Sequence, residues 1–205
     1  MIINPNLEFI TSNYKQTIDL IQKHVQKPRL ERLLRLIETD YGQRYSLIPA
    51  STQKEFYGAF PGGLCYHNLN VMKWLNKFAN LMAKDKYPLD TLITVAVLHE
   101  IGKLGDKDNE YYVSVESTWH RDRGIFYEIN KNINFMRVNH RSLFIAQEYG
   151  IDLNQEEYLA IFLNGEQYSL DNESYQHKEP LLVKILRFAD QYSIALEKEN
   201  EVRFF

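Results

Sequence analysis

The sequence of 205 residues predicts an all-α fold, a compact bundle of helices. Apolar residues recur every three or four positions over most windows, which is typical of helices with one buried face. Several of these windows open at a proline or close at a glycine, as helices commonly do. Segments of strand-like alternation do not interrupt them, which argues against a layered α/β architecture.

The first half of the chain contains four predicted helices and one long loop. A helix is expected over 13–25, and a second over 28–42, which opens with proline and ends at glycine. The segment 45–63 has two prolines and three glycines and is expected to be a loop. The segment 64–85 carries an apolar helical stripe, and 88–102 is apolar on nearly all sides, which indicates a central helix.

The second half begins with the least regular segment, 106–124, where polar and aromatic residues suggest a short hairpin or a lid. Helices are then expected over 132–150, 154–165 and 179–199. The first residue of 154–165 is an asparagine followed three positions later by a glutamate, the spacing of a capping box. No repeat or domain boundary is visible, so the chain is expected to form a single domain over 1–205.

The composition restricts the expected cellular location and the expected classes of binding partner. The apolar share is 44% and the net charge is −3, which suits a folded core and disfavours long nucleic acid as a partner. The only cysteine is Cys65, so the chain has no internal disulfide framework, and a reducing cytoplasm is the expected location. No signal peptide or stretch of about 20 apolar residues is present, and no membrane association is expected.

Four polar residues stand where an apolar helix face is expected. His99 and Glu100 end the apolar helix of 88–102 together, His67 shares the face of the apolar stripe of 64–85, and Asp190 lies on the apolar face of the last helix. A buried carboxylate costs several kcal/mol unless it is paired or bound to a metal. These four side chains could therefore surround one divalent cation. The alternative is a hydrogen-bonded core histidine and an Asp190 paired with an arginine such as Arg187.

The order of these residues resembles the HD phosphohydrolase superfamily. The motifs are "GGLCYHNLNVMKWL", "LITVAVLHEIGKLGD" and "LLVKILRFADQYSI", within a matching region of about 49–196. The resemblance implies a helical bundle of the HD-domain type with a metal site at its centre and the N-terminal helices of 1–48 packed on it. It also implies a set of metal ligands and an activity, the metal-dependent hydrolysis of a phosphate ester. The implied ligands are His67, His99, Glu100 and Asp190.

The chain departs from the pattern of the family in three ways. Glu100 replaces the usual aspartate after His99, and Tyr57 replaces a histidine in the loop. Asn164 and the following glycine stand where enzymes with two metals keep further histidines, although His140 occupies one such place. We therefore expect one divalent ion, either Mn, Fe, Co, Ni or Zn, because imidazole and carboxylate ligands suit all five.

The remaining site residues are expected partly from the same resemblance and partly from the charge and rings of nearby side chains. Glu100 and Lys103 are expected to be catalytic, with Lys103 offsetting charge on the phosphate; otherwise Lys103 is only a cation near a helix end. Trp119 and two neighbouring tyrosines are candidates for stacking on a base, although such residues more often pack. The residues expected to contact the substrate are Tyr57, Arg123, His140, Arg141 and Asn164.

These expectations support one leading function and two alternatives. The leading function is the hydrolysis of a phosphate ester of a nucleotide or related small molecule. The alternatives are a degenerate HD domain that binds a nucleotide or a protein partner without turnover, and a 3′-5′ exonuclease. The segment of residues 111–130 also resembles small phage-encoded proteins of this layout, which would place the chain in the host cytoplasm. Tyrosine- and phenylalanine-rich helices leave a homodimer open.

Overall fold

The computed structural model describes residues 5–165 and 169–201, and this part of the chain is mostly helical. The all-α prediction is therefore confirmed, and the only sheet in the described residues is one two-stranded antiparallel ribbon, β1 (Tyr112–Ser114) with β2 (Tyr127–Ile129). The helices are α1 (Leu7–His24), α2 (Arg29–Leu34), α3 (Gly42–Leu47), α4 (Gly63–Met82), α5 (Leu89–Leu98), α6 (Thr118–Asp122), α7 (Val138–Glu148), α8 (Gln155–Phe162) and α9 (Leu181–Glu201).

Helix α5 lies at the centre of the molecule, as its uniformly apolar sequence predicts. Every residue from Thr91 to Leu98 is buried, and the helix packs against α1, α4, α7 and α8. A helix that is apolar on all sides is stable only when other elements cover all of them. The long helices α4 and α9 pack along each other beside it. Buried apolar residues from α1 to α9 form one continuous cluster.

Two helix ends that the sequence predicts from neighbouring residues are confirmed. Asn154 caps α8 by accepting a hydrogen bond from the backbone N–H of Glu157, whose side chain accepts in return from the backbone of Asn154. This reciprocal pair is the capping box that the spacing predicts. Gly150 follows α7 with a φ of 63°, the left-handed conformation that glycine adopts readily after a helix.

The prediction of one helix over 28–42 is wrong in its detail. The chain forms α2, then a π-helical turn over Arg35–Asp40, and then α3, which continues to Leu47. Gly42 does not adopt a left-handed φ, so it starts α3 instead of ending a helix. The expected loop of 45–63 consequently begins after Leu47. Helix α1 likewise begins at Leu7, before the predicted segment, because Asn6 caps it.

The hairpin expected within 106–124 is displaced along the chain. β1 lies in that segment, but its partner β2 follows it, and the short helix α6 lies between the two strands. The segment 106–124 therefore supplies only one strand of the ribbon. No helix in the described chain combines the length and apolarity that a membrane span requires.

The loop before α4 is fixed to the start of that helix by two glycines. A Cβ atom on Gly63 would lie 2.0 Å from the carbonyl oxygen of Gly58, a separation that no side chain tolerates. Gly58 itself has a φ of 60°, in the left-handed region. This close approach places Tyr57 over His67, with ring centroids 4.5 Å apart. The loop thus forms one wall of the site described below.

Candidate metal centre

Three buried elements bring the predicted ligands together. His67 lies one turn into α4, His99 ends α5 with Glu100 immediately after it, and Asp190 lies midway along α9. Their exposed fractions are 0%, 1%, 8% and 5%, so all four polar side chains are inside the protein. The periodicity argument for the inward orientation of His67 and Asp190 is confirmed.

The ligand-type atoms of these residues converge on one point. His67 Nε2 lies 3.1 Å from Asp190 Oδ1 and 3.8 Å from Glu100 Oε2. One ligand atom from each of His67, His99 and Asp190 lies within 4.8 Å of the others. Glu100 borders this trio. The alternative pairing of Asp190 with Arg187 is not observed, since Arg187 instead contacts Glu179 at 3.6 Å.

His99 offers a lone pair that the protein leaves without a partner. Its Nδ1–H donates a hydrogen bond of 2.8 Å to the backbone oxygen of Ala96. This bond fixes the tautomer and leaves Nε2 as the acceptor nitrogen. Nε2 is buried and has no hydrogen-bond partner in the described chain. Burial also lowers the pKa of His99 and so favours the neutral form, the form that binds metals.

Glu100 is held by one carboxylate oxygen only. Its Oε1 accepts a hydrogen bond of 2.6 Å from the Tyr57 hydroxyl and lies 2.6 Å from the ammonium of Lys103. Its Oε2 is buried and unpartnered within the described chain. Burial alone would raise the pKa of Glu100, but the positive charge of Lys103 and the two neighbouring histidines lower it to about 2. Glu100 is therefore a carboxylate with one oxygen that accepts no hydrogen bond in the described chain and lies 3.8 Å from His67 Nε2.

His67 has a second partner that the sequence analysis missed. Its Nδ1 lies 3.0 Å and 3.2 Å from the two carboxylate oxygens of Glu197, which is fully buried on α9. Asn70 also donates to Glu197, at 2.8 Å. Carboxylates commonly orient metal-binding histidines in this way through the nitrogen that does not face the metal. The available signal was spacing: Glu197 is seven residues after Asp190, two helical turns along the same face.

The two flanking carboxylates change the protonation of His67. Burial lowers its pKa, but Glu197 and Asp190 outweigh burial and raise the pKa to about 10. Without a metal, His67 therefore carries a proton on Nε2 and donates it in a hydrogen bond to Asp190. A bound cation would have to displace this proton, so the site binds either a proton or a metal at His67 Nε2.

The pKa of His67 predicts how the stability of the metal-free protein depends on pH. The folded-state pKa of about 10 lies above the ordinary value of 6.5, so the stabilisation is complete below pH 6.5 and is lost as pH rises through 10. We expect the free energy of unfolding to fall by at least about 1 kcal/mol between pH 6.5 and 10, measured by urea denaturation with chelator present. The His67→Gln variant should show a smaller fall, because only the other buried groups, such as the Cys65 thiol with its pKa raised to about 12, still contribute to it. An equal fall in both proteins would contradict the assignment.

A cavity of about 380 Å³ opens onto the candidate ligands. His99, Glu100 and Asp190 line it, and so do three further residues that are predicted to be catalytic or to contact substrate. These three are Lys103, Tyr57 and Asn164. Lys103 is only 6% exposed and donates a hydrogen bond of 2.9 Å to the Tyr57 hydroxyl, so it faces this cavity and not bulk solvent.

The other three predicted substrate residues lie elsewhere in the described chain. Arg141 is buried behind the cavity wall, where it donates to the backbone oxygen of Asn134 at 2.6 Å and lies over the Tyr111 ring. It supports the segment before α7 from inside the protein. His140 lies on the outer part of α7 and lines two neighbouring cavities. Arg123 is exposed and lies over Trp119, 3.7 Å from the ring centroid.

Comparisons with known proteins identify no relative. No protein-family model, curated protein or solved structure matches the chain. The evidence for the candidate site is therefore the arrangement of its own residues.

Proposed function

We propose that this chain is a metal-dependent phosphohydrolase of the HD-domain type, which hydrolyses a phosphate ester of a nucleotide or related small molecule. The observation that carries the proposal is the unpartnered, buried Nε2 of His99, which faces Asp190 and His67. A buried acceptor without a hydrogen bond costs about 1–3 kcal/mol, so its presence needs an explanation. A divalent cation at this point provides one.

The donor set fits such a cation. The proposed ligands are His67 Nε2, His99 Nε2 and Asp190 Oδ1, with Glu100 Oε2 bound directly or through a water. Two imidazoles and two carboxylates suit Mn, Fe, Co, Ni or Zn. Glu197 holds His67 from behind, as the backbone oxygen of Ala96 holds His99. Both imidazoles are thereby oriented before a metal arrives.

The chain supplies the rest of the active site around that ion. When bound, the divalent cation provides a Lewis acid and a water of lowered pKa. Lys103 places a buried positive charge at the cavity wall, where it would offset charge on a phosphoryl group. Tyr57 and Asn164 present polar groups to the same cavity, and Val138 and Ile194 make part of the wall apolar. The arrangement would hold a small phosphate ester away from bulk water.

The proposal is tested by turnover with a panel of nucleoside mono- and triphosphates in the presence of Mn²⁺ or Co²⁺. We expect metal-dependent release of phosphate or pyrophosphate, blocked by chelator and absent in His99→Ala. Binding of a nucleotide without turnover would favour the degenerate, binding-only alternative. Cleavage of a labelled oligonucleotide from its 3′ end, without turnover of mononucleotides, would favour the exonuclease. We place the activity in the cytoplasm, in the host cell for a phage-encoded chain.

Replacing Glu197 with glutamine should weaken metal binding without removing a ligand. The amide can still accept the hydrogen bond of His67 Nδ1–H, but it lacks the charge that makes the imidazole a stronger donor. Partners of this kind change metal affinity by about 10- to 100-fold, and we expect a loss in that range by calorimetric titration. Glu199→Gln, an exposed site on the same helix, is the matched control. Equal affinity in both variants would leave Glu197 with a packing role only.

A further inference from the structure

We propose that the substrate carries an aromatic base and that the base binds in a second cavity beside the metal centre. This inference rests on the proposed function, because it assigns the part of the substrate that does not react. The second cavity has a volume of about 410 Å³ and is lined by Phe135, Met136, Arg137, His140, Phe162 and Asn172. The first three of these residues also line the metal-centre cavity, so the two cavities share a wall.

Three of the six residues that line the second cavity carry aromatic rings, namely Phe135, His140 and Phe162. The ring of His140 is stacked on that of Phe162, with centroids 5.4 Å apart and planes 6° from parallel. Phe135 comes from the segment before α7 and is 91% exposed, although it lies beside this pair. An exposed phenylalanine at the junction of two cavities is costly in water unless a ligand covers it.

The protein holds both aromatic walls firmly. Asn139 donates a hydrogen bond to the backbone oxygen of Phe162, which ties the end of α8 to α7. The buried Arg141 donates to the backbone oxygen of Asn134, the residue before Phe135. The backbone next to Phe135 is therefore held in place, although the Phe135 ring itself is exposed. Flat, preformed aromatic surfaces are what nucleobases stack on, whatever their hydrogen-bonding edges.

The chemistry of the two cavities is complementary to a nucleoside phosphate. The metal-centre cavity offers the ammonium of Lys103 and the candidate cation site to a phosphate, whereas the second cavity offers rings and the stem of Arg137. A sugar phosphate without a base would leave these rings uncovered. Trp119, the other exposed aromatic candidate, packs against the guanidinium of Arg123 just after α6, and neither of these two lines either cavity of the described chain.

The experiment compares four nucleoside 5′-monophosphates with ribose 5-phosphate, using the Mn²⁺-loaded protein and three variants. We measure both KM and equilibrium binding by calorimetry for wild type, Phe135→Ala, Phe162→Ala and Trp119→Ala. Stacking on one aromatic residue contributes about tenfold or more in affinity. We expect at least one nucleotide to bind about tenfold more tightly than ribose 5-phosphate. Phe135→Ala should abolish this preference, and Trp119→Ala should preserve it.

The outcomes separate this inference from the proposed function. Turnover with equal preference for nucleotides and ribose 5-phosphate would overturn the base site but leave the hydrolase standing. A preference that survives in Phe135→Ala and Phe162→Ala would overturn it too. Base-dependent binding that Phe135→Ala removes, without turnover of any compound, would support the base site and contradict the hydrolase. Phe135 is exposed, so its alanine variant should keep the wild-type fold, which an unchanged unfolding midpoint would verify.

Discussion

Replacing His99 with alanine is expected to abolish metal binding and phosphate-ester hydrolysis while leaving the fold intact. The side chain contributes a ligand nitrogen that has no hydrogen-bond partner in the described chain, and its removal takes only the Nδ1–H bond from the backbone oxygen of Ala96. Changes to residues behind the ligands already cost about 10- to 100-fold in metal affinity, so loss of a ligand itself should cost at least about 100-fold. Calorimetric metal titration and phosphate-release kinetics measure the two effects separately.

His140→Ala is the matched control for this experiment, because it removes another histidine that is close in sequence to the site. His140 lies against Phe162 and outside the cavity that His99 lines. We expect this control to keep wild-type metal affinity and a stoichiometry of one. Retained metal in His99→Ala, or lost metal in His140→Ala, would show that the ion binds through a different set of residues.

Lys103→Ala is the second substitution with a large expected effect, here on turnover and stability together. Lys103 is the nearest cation to Glu100, at 2.6 Å, and both side chains are buried. Loss of a preorganised charge facing the phosphoryl group should lower turnover by about 10- to 100-fold. Loss of one partner of a buried ion pair should also lower the free energy of unfolding by about 3 kcal/mol.

Two further variants separate these effects of Lys103. Lys103→Met retains most of the side-chain stem and should recover part of the stability but none of the turnover. Lys107→Ala removes an exposed lysine whose side chain is 69% accessible, and should change neither quantity. Wild-type turnover in the Met variant, assayed well below its unfolding midpoint, would leave Lys103 as only the structural partner of Glu100.

Sequence alone could predict those parts of the fold that depend on neighbouring residues. The apolar run of 91–98 predicts a central helix, because only complete burial stabilises such a surface. The capping box of Asn154 and Glu157 is likewise local. The π-helical turn over Arg35–Asp40 was missed, because a glycine at position 42 is a common signal for a helix end. Its actual place at the start of α3 depends on tertiary packing. The second strand of the ribbon was missed because pairing is set by distant contacts.

The candidate site could likewise be predicted from the sequence only where neighbouring residues determine it. Helical spacing correctly placed His67 and Asp190 on inward faces, yet it could not show that the two helices meet. Glu197 was missed because its partner lies 130 positions away in the chain. Arg141 was expected at the substrate, but its guanidinium points toward the backbone of Asn134, a choice that only the folded segment reveals. Tertiary partners of charged side chains have no signature in local periodicity.

The central claim, one divalent ion held by His67, His99 and Asp190, is tested most directly by anomalous diffraction from crystals grown with Mn²⁺. We expect a single anomalous peak about 2.0–2.3 Å from His67 Nε2, His99 Nε2 and a carboxylate oxygen of Asp190. A second peak about 3.5–4 Å away, with His140 bound to it, would contradict the single-ion assignment. No peak between these side chains, with His67 still hydrogen-bonded to Asp190 at saturating Mn²⁺, would contradict the metal centre itself.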